Sequence, residues 1–369
     1  MQGWSGWLRR SAAAVFMAAA ATAPASAQQN DIVLGALLAL TGPAAPIGLQ
    51  HQQGIQFAVD LANEAGGIRG RKVRMIFEDS QGKPDQGVLA FNRLADFQKV
   101  PAFLTSFSSV SLAIAPLATR KEILALNAAA QSNKLGNASP YLLNTIPLVR
   151  DEGEVVAKFA YNKLGKKVVI IYENAAAGID GRDDFKKSFE ALGGQVIGDE
   201  AVEFGQTNYR PTLLKTASLK PDFVYVVITQ GQDTFAEQVS QIPGFPVGLG
   251  TTFVYPFAGY PSMPGWHVSI VRSDVTPELE AEFKKRFKLN EFIFASREYF
   301  NSTNILLKAV DHILGKNEAL TGANLRKALF EIKTFKSGIA EITFDSNTAK
   351  REITILRNDG GGKSSVVKQ

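Results

Sequence analysis

Beyond the first thirty residues, the apolar positions follow two periods in turn. "DIVLGALLAL" (31–40) is a nearly unbroken apolar run and predicts a strand buried on both faces. The loop "TGPAAPIG" follows, and "LQHQQGIQFAVDLANEA" (49–65) then carries apolar residues at helical spacing up to the stop at Gly66-Gly67. "KVRMIFED" alternates as a strand, "PDQGVLAFNRLADF" reads as a helix, and "PAFL" as a short strand leading to the short helix "LAIAPLA". The rhythm then repeats. "EGEVVAKFAYNKLG", "GRDDFKKSFEALGG" and "QDTFAEQVSQI" predict helices among the strands "KKVVIIYE", "GQVIGDEAV" and "DFVYVVI".

Alternating strands and helices imply parallel sheets covered on both faces. The fold class predicted is α/β, with two doubly wound parallel-sheet lobes and a cleft between them. A third section differs: "STNILLKAVDHIL" and "TGANLRKALFEI" are helices, and "AEITFDSNTAKREITILRNDGGG" (340–362) reads as a two-stranded hairpin. No linker rich in Pro, Gly or Ser separates the lobes, so several chain crossings are expected to join them.

Ligands in such sheets bind where loops leave the carboxyl ends of strands. "FLTSFSSVSLAIAP" (103–116) lies at such an end and crowds four serines and a threonine into a strand-to-helix turn. Capping a first turn needs one hydroxyl. The surplus points to a bound group, with Thr105, Ser106 and Ser111 assigned to capping or packing.

Composition supports a globular chain of two ordinary domains: 369 residues, 45% hydrophobic and 20% charged. The N-terminus has Arg9 and Arg10, an alanine-rich apolar stretch and Ala25-Ser26-Ala27. That is the pattern of a signal peptide over 1–27, cleaved after Ala27, with an apolar core too short to span a membrane. No Phe or Leu stands two residues beyond the arginine pair, which argues against twin-arginine export. The chain contains no cysteine. Lipid anchoring, disulfides, thiolate nucleophiles and zinc–cysteine sites are therefore not expected, and the compartment predicted is the bacterial periplasm.

Other chemistry finds little support. The net charge of +5 falls to +3 without Arg9 and Arg10, and the densest basic run, "KKRFK", sits in "TPELEAEFKKRFK" (276–288). There Leu279, Phe283 and Phe287 recur every four residues, and Glu280 and Glu282 precede Lys284 and Arg286 by four. That is an amphipathic helix with ion pairs rather than a nucleic-acid surface. His51, His267 and His312 lie far apart without metal-ligand spacing, and no Gly-x-Ser-x-Gly elbow occurs. "GGGKSS" (360–365) imitates a phosphate loop, but the first glycine would fall on Arg357. No enzymatic activity, cofactor, metal or nucleic-acid partner is expected.

"NEAGGIRGRKVRMIFEDSQGKPDQ" (63–86), together with "LTGPAAPIG", the serine turn, "LALNAAAQS" and "PDFVYVV", resembles the periplasmic type I solute-binding proteins of the branched-chain amino acid (Leu/Ile/Val) ABC transporter family. The resemblance covers nearly the whole chain beyond the signal segment. It implies two α/β lobes joined by three hinge crossings, closing over a ligand. Crossings near 146, 271 and 337 would give one lobe as 31–146 plus 272–337 and the other as 147–271 plus 338–369. The resemblance further implies a monomer that delivers a small molecule to permease subunits in the inner membrane.

Carried over by position, Ser108 and Ser109 would hold a ligand carboxylate, where free N–H groups and a helix dipole favour an anion. "NAAAQS" places Ala129 by its backbone and Gln131 by its side chain, although the family usually has Thr or Ser where Gln131 stands. Ile47, Ala177 and Thr229 fall at further ligand-facing positions. Amino-acid binders of the family pair the ligand ammonium with an acid in the loops of the second lobe, yet no Asp or Glu lies between Glu237 and Asp274. Phe253, Tyr255, Phe257 and Tyr260 stand there instead. In a strand, 253, 255 and 257 would share one face, either packing the core or, through Tyr255, walling a flat apolar ligand.

The ligand expected is thus a carboxylate without an α-amino group, an aromatic acid or a similar aliphatic or keto acid. The alternatives are a branched-chain or other amino acid paired by an acid such as Asp180, an amide or urea ligand, and a sensing role at a membrane receptor.

Overall fold

The computed structural model describes residues 31–336 and 339–367. The expected signal segment, its cleavage point and the crossing expected near 337 lie outside these residues.

The first lobe is built from β1 (Ile32–Leu38), α1 (Ala45–Glu64), β2 (Val73–Asp79), α2 (Pro84–Asn92), β3 (Ala102–Thr105), α3 (Ser108–Lys121), β4 (Leu124–Asn127) and β5 (Leu142–Asn144). Its strands form a parallel sheet in the order β2-β1-β3-β4-β5, registered from Ile32 beside Val73 to Leu38 beside Asp79. Helix α1 begins within the stretch expected to be loop, because Pro46 in a first turn has a fixed φ and needs no hydrogen bond from its nitrogen.

The second lobe follows with α4 (Val149–Lys163), β6 (Lys167–Glu173), α5 (Ala176–Ala191), β7 (Gln195–Val202), α6 (Arg210–Ser218), β8 (Phe223–Val227), α7 (Gln232–Ser240), β9 (Gly248–Gly250) and β10 (His267–Val271). The chain then returns to the first lobe with α8 (Pro277–Phe287), α9 (Phe294–Gly315), α10 (Gly322–Ile332), β11 (Thr334–Lys336) and β12 (Glu341–Thr343). It ends in the second sheet with β13 (Ile353–Gly360) and β14 (Lys363–Val367), giving the order β14-β13-β10-β9-β8-β6-β7. Helix α9 lies tight against α1: a Cβ on Gly54 would sit 2.0 Å from the Ser296 carbonyl oxygen.

Two local expectations are corrected. The stretch 340–362 is not one hairpin. β12 pairs with β11, whereas β13 pairs with β10 and β14, so the hairpin turns instead at the glycine run 360–362. Ile342, Phe344 and Ala349 are buried in the first lobe's core beside Phe335. The third change of sheet therefore falls between Ala349 and Ile353 rather than at 337.

The second correction concerns 252–258, which form a 3-10 helix and not a strand. Pro256 cannot donate to a sheet ladder, and roughly three residues per turn separate alternate positions. Val254 and Phe257 turn into the core, where Phe257 stacks on Phe235 at 5.6 Å and meets Trp266 edge-on at 5.4 Å.

A buried ion pair braces the second and third crossings. Arg351, in the third crossing, binds both carboxylate oxygens of Glu298 on α9 and donates to the Arg272 carbonyl oxygen of the second crossing at 2.8 Å. Their side chains are 1% and 0% exposed.

Candidate functional site

A cavity of about 350 Å³ lies between the lobes, at the carboxyl ends of β3, β4, β6 and β8. All eight positions expected at the ligand line it: Ile47, Ser108, Ser109, Ala129 and Gln131 from the first lobe, and Ala177, Thr229 and Tyr255 from the second.

The serine turn delivers α3 to the cavity with its first turn uncapped. The residue before the helix is Phe107, at φ 65°, which offers no side-chain cap, and among the described residues no side chain is seen accepting from the first-turn N–H groups. A left-handed phenylalanine costs on the order of 1–3 kcal/mol, and here it aims a helix N-terminus into the cavity. The hydroxyls divide as their burial dictates. Thr105 and Ser111 pair with each other at 3.1 Å, and Ser106 is buried. Ser108 accepts from Ser132 N–H at 3.2 Å, while Ser109 lies half-buried on the cavity wall.

The "NAAAQS" turn is shaped by Asn127, whose Oδ1 accepts from Ala130 N–H at 2.8 Å and from Ala129 N–H at 3.3 Å. The Gln131 amide points to the first crossing. It donates to the Pro147 carbonyl oxygen at 2.9 Å and to Glu152 at 3.1 Å. Glu152 is fully buried and also accepts from Thr252 and Ser269, and burial pushes its pKa upward. Gln131 Nε2 thereby ties the first lobe to α4 and, through Glu152, to the 3-10 segment 252–258 of the second, while its Oε1 is buried with no hydrogen-bond partner among the described residues.

Two aromatic pairs bridge the lobes. Phe107 meets Phe204 edge-on at 6.1 Å, and Tyr255 packs on Phe294 at 5.4 Å while accepting from its N–H at 3.3 Å. Burial pushes the Tyr255 hydroxyl up to about 12. With Phe253 and Ile47, these rings make the walls mostly apolar.

The acid sought in 238–273 is absent from that stretch, yet the cavity contains a carboxyl. Glu173, the last residue of β6, lines it and is 1% exposed. Its Oε2 accepts from the Thr229 hydroxyl, and the nearby backbone N–H groups of Thr229 and Gly205 also favour the ionised carboxyl. Burial outweighs these donors and pushes its pKa up to about 7. Helix α5 starts directly beneath: a Cβ on Gly178 would lie 2.1 Å from the Glu173 carbonyl oxygen, so only glycine permits this approach. The signal was present in "KKVVIIYE", a buried strand ending in an acid at the edge where ligands bind.

Asp180, the other acid considered, does not line the cavity. It accepts from Ser132 Oγ and from Asn133 N–H at 2.9 Å, a contact between lobes. His51, not expected at the site, is stacked on Tyr299 at 4.0 Å on the first-lobe wall, and burial pushes its pKa down to about 3. Among the described residues lining the cavity there is no Lys or Arg.

A family model described as periplasmic binding protein matches residues 31–363. The Leu/Ile/Val-binding protein homolog 3 of Brucella melitensis is 30% identical over 204 residues, 54% of this chain and 55% of that protein. The chain thus spans about half the length of the curated relatives it matches. Among solved structures, a solute-binding protein of an ABC transporter from Rhodopseudomonas palustris in complex with benzoate has a TM-score of 0.80 at 21% identity, covering 91% of this chain and 95% of that one. A branched-chain amino acid transporter substrate-binding protein from Streptococcus pneumoniae in complex with isoleucine has a TM-score of 0.77 at 19% identity, covering 92% of this chain and all of that one (100%).

Proposed function

We propose, for a chain that belongs to the periplasmic binding protein family, that its cavity captures a small carboxylate lacking an α-amino group, an aromatic acid first. The protein would close its lobes over this ligand and deliver it to the permease of an ABC importer.

One observation carries the reading: an uncapped helix N-terminus with Ser108 and Ser109 opens into a cavity walled by Ile47, Phe107, Phe204, Phe253, Tyr255 and Phe294. The first feature suits a carboxylate; the second suits a flat apolar body. The benzoate complex of the R. palustris protein is consistent with both. Glu173 is a poor partner for an ammonium group, because the Thr229 hydroxyl already binds it and burial favours its neutral form.

The second reading is an amino acid, with ionised Glu173 receiving the ammonium group. Glu173 is the reason to keep it.

The test is a thermal-shift comparison on unfolded and refolded protein, with benzoate, 4-hydroxybenzoate, 4-methyl-2-oxopentanoate, leucine and valine. A ligand at 100 times its Kd should add about 2.7 kcal/mol. Stabilisation by acids without an amine supports the proposal, and stabilisation by leucine or valine alone overturns it.

A further inference from the structure

Glu173 and the bound acid would share one small enclosure. The carboxyl stands at the end of β6 in the second lobe, and the α3 N-terminus with Ser108 and Ser109 opens from the first. Both walls border the same cavity of about 350 Å³, and among the described residues lining it no Lys or Arg supplies a compensating charge. Two carboxylates in a poorly hydrated space repel each other, and the one that can take a proton does so.

From this arrangement, and resting on the reading of the ligand as an acid without an amine, we infer that Glu173 takes up one proton from solvent when the ligand binds. In that protonated state the carboxyl offers no charge to an ammonium group, and the cavity favours anions over zwitterions.

The groups facing Glu173 leave it as the titrating member. Thr229 supplies its hydroxyl from the loop after β8, the N–H groups of Thr229 and of Gly205 in the loop after β7 are nearby, and Tyr209, just before α6, stands beside it. His51 and Tyr255 also line the cavity. Burial holds His51 neutral down to about 3, and it holds Tyr209 and Tyr255 neutral up to about 12. Neither kind of group changes charge near neutrality. The Glu173 carboxyl, pushed up to about 7, does.

Below pH 7 Glu173 already holds its proton, and an acid ligand enters without proton exchange. Above pH 7 each ligand must draw a proton with it, so Kd rises by about tenfold per pH unit. A zwitterion behaves in the opposite sense. Its ammonium group favours ionised Glu173, so it releases a proton on binding and gains affinity as pH rises.

Calorimetric titration with 4-hydroxybenzoate and with leucine, in buffers of different ionisation enthalpy from pH 5.5 to 8.5, counts these protons. The expected result is uptake approaching one proton per 4-hydroxybenzoate at pH 8, none at pH 5.5, and a flat affinity profile in Glu173→Gln. Binding of 4-hydroxybenzoate without proton exchange at pH 8 overturns the inference and leaves the ligand class standing. So does a Glu173→Gln variant that keeps the wild-type slope. Absence of binding by 4-hydroxybenzoate, benzoate and 4-methyl-2-oxopentanoate throughout this range overturns the ligand class itself. Leucine binding with proton release, and more tightly than any of these acids at every pH tested, overturns both.

Discussion

Replacing Arg351 by methionine should be among the most damaging single changes away from the cavity. Its guanidinium holds both oxygens of Glu298 and the Arg272 carbonyl oxygen, joining the second and third crossings to α9. Glu298 is 0% exposed, so the substitution leaves a carboxylate buried without its cation. Breaking a buried pair from one side costs about 3–5 kcal/mol. Removing both charges, as in Arg351→Met with Glu298→Leu, removes the stranded charge and should recover most of the loss. Urea unfolding of the wild type, both single variants and the double variant completes the cycle, with an unchanged m-value required for the comparison. The coupling expected is about 3 kcal/mol, and it should change little between low and high salt because the pair is shielded from solvent. Single variants that each cost less than about 1 kcal/mol, or effects that simply add, would refute the argument that this pair braces the hinge.

Glu173 makes ligand-free stability depend on pH. Its folded-state pKa is raised from 4.5 to about 7, so its contribution is full below pH 4.5 and lost as pH rises through 7. At about 1.4 kcal/mol per pH unit, that loss is about 3 kcal/mol, and Glu173→Gln should therefore be more stable than wild type at pH 8 but not at pH 4, by urea midpoints. Phe257→Ala should cost about 3–5 kcal/mol because it empties the packed site beside Phe235 and Trp266. Phe253→Ala, on the cavity wall, should instead show its larger effect in ligand affinity by calorimetry. Ser108→Ala together with Ser109→Ala should weaken 4-hydroxybenzoate binding by about tenfold or more by calorimetry, as expected for hydrogen bonds to a charged group, and should also lower the melting temperature because the buried Ser132 N–H loses its acceptor.

The local signals reached a long way into this fold. Buried strands such as "KKVVIIYE" and amphipathic helices such as "TPELEAEFKKRFK" are written in periods of two to four residues, and those periods locate β6 and α8 without knowledge of their neighbours. In that helix Phe283 is buried against Phe57, and Arg286 pairs with Glu282. The alternation of such elements implies parallel sheets, and parallel sheets put the serine turn at a strand's carboxyl end.

What the sequence could not determine depended on pairings distant along the chain. The two halves of 340–362 look like one hairpin locally, but β12 and β13 find partners at β11 and β10. Phe253, Tyr255 and Phe257 are equivalent by spacing until a 3-10 turn around Pro256 separates cavity wall from core. The acid of the cavity shows the same limit. A search of 238–273 could find none, because Glu173 reaches the cavity only when β6 and β8 lie side by side and bring it to Thr229. Periodicity determines which faces are apolar. Which residues meet across a cleft, and how far burial shifts their protons, is decided only when the two sheets are assembled.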